Sequence, residues 1–546
     1  MSDTVRPRPH ELFLIGPPAK GATESDPADA SPQHMGFKAY NLLRMARLGL
    51  PVPPAFVLGT ALCQRVNHDE PDAAQALWPL GLSALEGLTG CRLGDPRRPL
   101  LVSVRSGAPV SMPGMMETLL NIGLCDATVP GLLRQTGNPR LVWDAYRRLV
   151  ACFGEVVHGI PGDRFEAAAE ARFDGRGERD LDFAELRELT HLFLQVHQAE
   201  AGVPFPQDPA TQLGDAVRAV FASWRSDKAC AYRQLNAIAD DIGTAVTVQQ
   251  MVFGNGGGAC GAGVGFTRNP ASGEPGLWVD FLFNAQGEDV VSGRRTAHGH
   301  TELAQVLPAV WSELEHAAHT LERAFGDMQD IEFTVQDGRL HMLQTRSGKR
   351  TPQATARIAL DLHDEGVIDA DTARSRVAKL TADELALTRV VDDTGATLSP
   401  LAHAATASSG VVCGEIALDA ERAQARQAAG ASVVLVRRDA ETADIAALQA
   451  AQGLLTARGA RTSHAAVVAR QLGKVCLVGC GSLLIDEATR TVRLGEQPWR
   501  EGDVLTLDGN TGAIYAGTVR TVREAPPDLL ARLQSLRDGT DGSGLR

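Results

Sequence analysis

Residues 453–479 read Gly453-Leu-Leu-Thr-Ala-Arg-Gly-Ala-Arg-Thr-Ser-His464-Ala-Ala-Val-Val-Ala-Arg470-Gln-Leu-Gly-Lys-Val-Cys-Leu-Val-Gly479, and this stretch decides the fold of the C-terminal half. Gly453 to Thr456 is a short buried strand, and Arg458 to Arg461 is a turn. A helix starts near Ser463 and stops at Gly473, and a second buried strand follows. Strand, helix, strand is the repeating unit of an α/β sheet. Thr462 or Ser463 supplies the N-cap oxygen. His464 therefore falls in the first helical turn, where free backbone N–H groups and the helix dipole favour an anion. A phosphoryl group on that imidazole would be stabilised by the same groups, and Ala465 and Ala466 leave room for it. A lone histidine in such a place is ordinarily just a polar helix-start residue. The rest of the chain has to decide.

Outward from this loop, residues 409–518 alternate strands and helices, which defines a small α/β domain over about 409–520. Residues 351–408 form a helical connector and hinge, with Asp392 to Gly395 and Ser399-Pro400 as pivots. Residues 521–546 are a tail with a short helix and a frayed end. Upstream, 244–346 is rich in β pattern and glycine, including a glycine-rich loop from Gly256 to Gly265. Residues of about 130–235 follow helical periodicity, with Trp143, Tyr146, Leu149 and Val150 on one face. A helix from Lys38 to Leu48 is stopped by Gly49 and the prolines at 51, 53 and 54. The large N-terminal domain spans 1–350. The fold class is a multidomain α/β and α+β chain.

Three segments of the N-terminal half can hold a nucleotide. In Ser103-Val-Arg105-Ser-Gly107-Ala, continuing to Gly114 and Thr118, Arg105 stands at a strand end where its guanidinium fork suits phosphate oxygens. The glycines after it can bring backbone N–H groups against phosphates. The second segment, Asp330 to Arg346, alternates strictly through a bend at Asp337-Gly338. A two-residue loop there would put Gln344 on the face of Ile331 and Phe333. A three-residue loop puts Gln344 and Arg346 with Asp330 and Glu332, giving a plausible Mg–ATP face. We expect the three-residue loop. The third segment is Gly36-Phe37-Lys38-Ala39-Tyr40-Asn41-Leu42, which carries Lys38. Each has a plain structural reading as well: a surface loop, a hairpin with a solvated face and a surface lysine.

Taken together these strings resemble the pyruvate, phosphate dikinase and phosphoenolpyruvate synthase family. The likeness covers nearly all of the chain. It includes Thr267-Arg268-Asn269-Pro270, Gln286-Gly287-Glu288-Asp289 and Leu507-Asp508-Gly509-Asn510-Thr511-Gly512, and the first two point to the dikinase branch. The resemblance implies an ATP-grasp nucleotide-binding domain followed by a swivelling phosphohistidine domain. It implies that ATP, with Mg²⁺ and inorganic phosphate, phosphorylates His464. Lys38, Arg105, Asp330 and Arg346 would bind ATP, and Glu332 and Gln344 would meet the metal. It also implies regulation at Thr462 by a kinase, since family dikinases are switched off at the threonine two residues before the histidine. The sequence departs from the family at Phe37, Ala39 and Tyr40, which crowd the lysine loop, and at Ala460, where a glycine is usual.

In the family a pyruvate-binding barrel follows, needing roughly 200–250 residues. About thirty residues follow Gly517, so the expected acceptor lies on a separate partner, either a pyruvate-binding barrel on another polypeptide or some other acceptor. The alternative is a nucleotide-responsive regulatory or degenerate binder without turnover. Retention of His464 beside the hairpin favours the enzyme. The formal charge of −13 argues against nucleic acid and anionic membrane as partners. No apolar run is long enough to span a bilayer, and nine scattered cysteines without a CxxC pair read as reduced thiols of a cytoplasmic protein.

Overall fold

The structure, a computed structural model, describes residues 10–16, 30–68, 70, 72–110, 112, 116–178, 180–291, 298–391, 398–439, 445–459, 464–495 and 497–538. It divides into two compact units, Met1–Gly258 with His341–Thr345, and Ala259–Leu340 with Arg346–Arg546. Among the described residues no helix is long and apolar enough to cross a membrane.

The first unit is built on an antiparallel sheet of five strands, in the order Leu12–Ile15, Ala55–Leu58, Ala245–Gln250, Val102–Gly107, Thr118–Ile122. Val102, Val104, Val246 and Val248 alternate onto an apolar layer that also holds Tyr146, Phe153 and Phe221. Among the described residues, five helices from Val129–Thr136 to Pro209–Ser223 supply that layer. The longest, Pro139–His158, starts where Asn138 accepts a hydrogen bond from the Leu141 N–H and Pro139 fits the first helical position.

Inside this layer His197 is fully buried, its ring 4.9 Å from that of His158 and 5.6 Å from that of Phe205. Burial first, and then the neighbouring His158, push its pKa down from 6.5 to about 4. Between those values the unfolded chain takes up a proton that the folded one refuses, so stability falls as pH drops through that window. The melting temperature of the wild type should therefore decline more steeply between pH 6.5 and 4 than that of His197→Phe. Equal slopes would show that His197 does not carry the acid sensitivity.

A second five-stranded sheet runs in the order Arg339–Ser347, Gln329–Gln336, Gly261–Arg268, Pro275–Phe283, His298–Gly299. Here one expectation changes. Gly261, Gly263 and Gly265 are strand residues, not part of a glycine-rich loop. A Cβ at Gly261 would lie 2.2 Å from the Phe281 ring and one at Gly263 would lie 2.4 Å from Phe333. The missing side chains make room for those two rings, which stack with centroids 5.9 Å apart. Glycine here marks close packing.

Thr267 and Arg268 fasten this sheet to the helices beside it. The buried Arg268 bonds to Glu322 on helix Pro308–Phe325 at 3.0 Å, and to Glu365 after helix Pro352–Asp364 at 2.9 Å. Thr267 donates to the same Glu322 carboxylate at 2.7 Å. Helix Pro527–Asp538 joins the cluster, with Leu529, Leu533 and Leu536 packed on Ala356, Leu360 and Val377 and with Arg532 on Asp361 and Asp364.

Leu387–Val390 and Thr521–Glu524 pair as an antiparallel ribbon, Leu387 opposite Glu524 and Val390 opposite Thr521. The residues between them carry an eight-stranded sheet. Its parallel centre is Val411–Ala417, Val433–Arg437, Gly453–Thr456 and Val475–Val478, in that order. Helices Ala420–Ala428, Ile445–Ala450 and His464–Gln471 make the crossovers. Strands Ala402–His403 and Ala405–Ser408 also belong to this sheet, so it begins upstream of residue 409.

Candidate functional site

His464 is the first residue of helix His464–Gln471, which leaves the carboxyl end of the parallel strand Gly453–Thr456. That edge of an open α/β sheet, with helix N-termini facing outward, is where ligands of such sheets bind. The proposed caps Thr462 and Ser463 lie outside the described residues, as do the pivots Asp392 to Gly395.

In the first unit the nucleotide candidates Lys38 and Arg105 come from adjoining elements. Helix Phe37–Arg47 starts at Gly36, whose φ of 74° suits glycine and whose Cβ would lie 1.8 Å from the Gly107 carbonyl oxygen. The Phe37 N–H donates to the Ala108 carbonyl at 3.0 Å. The helix N-terminus thus abuts the end of strand Val102–Gly107. Arg105 lies within that strand, two residues short of its end, and is half-buried; Lys38 is exposed. Asn41 of the same motif is buried and donates to the Thr345 carbonyl at 2.8 Å, tying this helix to the segment that holds Gln344. Nothing in the sequence marks Asn41 for this bond, because an asparagine inside a helix carries no signal of its partner.

The hairpin overturns one expectation and keeps its consequence. Asp337 and Gly338 both have positive φ, 51° and 72°, which is the two-residue turn of a tight hairpin and not a three-residue loop. Yet Arg346 Nε lies 2.7 Å from Asp330 Oδ2, so the two share a face. The odd residue lies further along the strand. Met342 points its N–H away from its partner strand, to the Pro51 carbonyl, and Thr345 points its carbonyl away, to Asn41. In a regular strand two such outward residues are separated by an even number of positions; here the separation is odd. Beyond it the Gly348 N–H donates to the Met328 carbonyl, the register that sets Arg346 opposite Asp330. A bulge at Leu343–Gln344 supplies the slip.

Asp330 stands opposite Phe266, and Glu332 opposite Val264, which in turn faces Asp280 on the next strand. Asp280, a buried acid, thus joins the polar face; it escaped notice inside the apolar run Leu277 to Phe283. Burial pushes the Asp330 carboxyl above the ordinary carboxylate range against the pull of Arg346, and Glu332 adds to the rise. Lys349 is the other residue the sequence reading missed. Burial and the Arg346 charge pull its pKa down, while Asp330 pulls it back up. These hard oxygen donors fit Mg²⁺. Among the described residues no three His, Cys, Asp or Glu side chains gather as a closed cage. A nucleotide-bound Mg²⁺ needs only one or two carboxylates, with phosphates and water completing its shell.

The His464 helix reaches this same face through its seventh residue. The Arg470 guanidinium carbon lies 5.6 Å from the centroid of the Phe266 ring, and its Nε and Nη2 both donate to the Ala407 carbonyl, at 2.9 and 2.6 Å.

The family model described as pyruvate phosphate dikinase, AMP/ATP-binding domain, matches residues 83–305 and 298–366. That described as PEP-utilising enzyme, mobile domain, matches residues 430–512. The chain belongs to the pyruvate, phosphate dikinase family. Pyruvate, phosphate dikinase of Clostridium symbiosum is 42% identical over 92% of this chain and 58% of its own length. The chloroplastic pyruvate, phosphate dikinase 1 of Arabidopsis thaliana is 42% identical over 97% and 55%. The enzyme of Rhizobium meliloti (strain 1021) is 39% identical over 96% and 60%. The chain spans a little over half the length of these curated relatives. In family terms the chain has an ATP-grasp nucleotide-binding domain followed by the PEP-utilising mobile domain.

Proposed function

We propose that this dikinase-family chain uses Mg–ATP and inorganic phosphate to phosphorylate its own His464, for transfer to an acceptor outside these residues. The observation that carries the reading is a shared face: the His464 helix and the carboxylates of the hairpin meet in one compact unit. A nitrogen of the His464 imidazole takes the β-phosphoryl group as its bond to the α-phosphate oxygen breaks. AMP leaves, and a pyrophosphoryl group stays on the histidine. An oxygen of inorganic phosphate then attacks the γ-phosphorus, and the bond from that phosphorus to the β–γ bridging oxygen breaks. Pyrophosphate leaves while the β-phosphoryl group stays on His464. Lys38, Arg105 and Arg346 would hold phosphate oxygens, with Asp330 orienting Arg346. Glu332 and Gln344 would hold Mg²⁺, which when bound neutralises phosphate charge. The free N–H groups at the start of the His464 helix would stabilise the phosphorylated ring.

The test is incubation of the purified chain with Mg–ATP and phosphate. An acid-labile, base-stable phosphoryl group on His464, formed with AMP and pyrophosphate, is expected. ATP binding without any label would leave a nucleotide-responsive binder instead. The labelled chain alone should form no phosphoenolpyruvate from pyruvate, and a separately supplied pyruvate-binding barrel of the same family should restore that step.

Thr462 is the proposed regulatory position. A dianion there would repel the phosphates of incoming ATP, partly offset by Arg461. Thr462→Glu should slow His464 labelling about tenfold, while Thr462→Ser labels like the wild type. An unchanged rate in Thr462→Glu would count against this regulation.

A further inference from the structure

We infer that Arg470 is a positioning residue, and that its contact with Phe266 seats the His464 helix against the nucleotide hairpin. The inference rests on the proposed phosphorylation of His464 and adds to it the contact that brings the two modules together.

Arg470 is anchored from one side and presented to the other. Two of its nitrogens converge on the Ala407 carbonyl, within the sheet of its own module, so the head is fixed before any docking. A guanidinium held flat in this way loses little further freedom when it meets a ring. Phe266 is equally prepared: it is 4% exposed, clustered with Met328, Ala354, Ile358 and Leu362, with the Trp278 ring 6.0 Å away. Its neighbour in register is Asp330. The cation therefore arrives beside the carboxylate proposed to orient Arg346, and its charge is felt there.

The strength of such a contact suits its task. A guanidinium over an aromatic face stabilises an encounter by about threefold to thirtyfold, depending on how far water is excluded. That is enough to favour the docked arrangement and too little to trap it. A domain that carries a phosphoryl group away needs a seat it can leave.

The experiment uses two substitutions on opposite sides of the contact. Arg470→Met keeps the aliphatic stem and removes the charge. Phe266→Leu keeps an apolar filler in its core and removes the ring, leaving the bonds of Arg470 to Ala407 untouched. In single-turnover reactions each should slow labelling of His464 by about tenfold, with ATP affinity unchanged. The double variant should be no slower than either single one, as expected for two partners in one contact. Additive losses, or a wild-type rate in Phe266→Leu, would overturn the inference. Amide exchange in unlabelled protein reads the seat without chemistry: Phe266→Leu should speed exchange across residues 464–471. If the wild type takes no label, the functional reading fails, and faster exchange in Phe266→Leu would still support the seat. Unchanged exchange would remove it.

Discussion

His464→Ala is expected to abolish acid-labile labelling from ATP while leaving nucleotide binding close to that of the wild type. The imidazole is the atom set that accepts phosphorus, and no neighbouring alanine can replace it. Nucleotide affinity is assigned instead to Lys38, Arg105 and the hairpin, none of which lies in the small domain. The substitution removes a side chain from the first turn of a helix of eight residues, where alanine is a good helix former. Folding should survive it. The measurement pairs phosphate incorporation with calorimetric ATP binding. Label persisting in the variant would move the acceptor to another residue, and loss of ATP binding would mean that the histidine contributes to the nucleotide site.

The second large effect belongs to Glu332→Gln. The swap keeps shape and removes one charge from the face shared with Asp330 and Asp280. Losing one preorganised electrostatic contact to a phosphoryl transition state commonly costs on the order of 10²-fold in rate. Stability should change by about 0.5 kcal/mol or less, since the residue is not fully buried. Gln344→Ala is a less clean probe. Gln344 is 8% exposed, so its removal risks about 1–3 kcal/mol of unsatisfied polar partners as well as the metal contact. Glu332→Gln should therefore label slowly with a normal melting temperature, and the deficit should narrow as Mg²⁺ is raised. A normal labelling rate would reduce the hairpin to a structural element.

Much of this is legible in the sequence. The strand from Gly453 to Thr456 and the helix opening at His464 follow from local pattern, because apolar runs, caps and glycine stops act within a few residues. The polar face of Asp330, Glu332 and Arg346 was found by a parity argument that placed the odd residue in the wrong spot. The turn at Asp337-Gly338 is the tight one its sequence favours, and the bulge at Leu343–Gln344 restores the count. A bulge leaves no mark in composition, since it depends on which neighbour claims each backbone group. Gly261, Gly263 and Gly265 misled for a related reason: glycine reads as a loop unless one knows that Phe281 and Phe333 need its space. Asp280 and Asn41 were hidden because their meaning lies in residues far along the chain.

The paired ribbon of Leu387–Val390 and Thr521–Glu524 makes the small domain detachable. Val390 and Thr521 face each other across the ribbon, so the chain leaves and returns at almost one point. Opposed residues of an antiparallel pair lie about 5 Å apart, a gap that a two-residue turn closes. Residues 391–520 could thus be excised and the flanks rejoined without pulling helix Pro527–Asp538 off its partners. The reverse graft is equally direct: a foreign domain whose own ends lie close together could be spliced between Val390 and Thr521, borrowing the nucleotide module as its base.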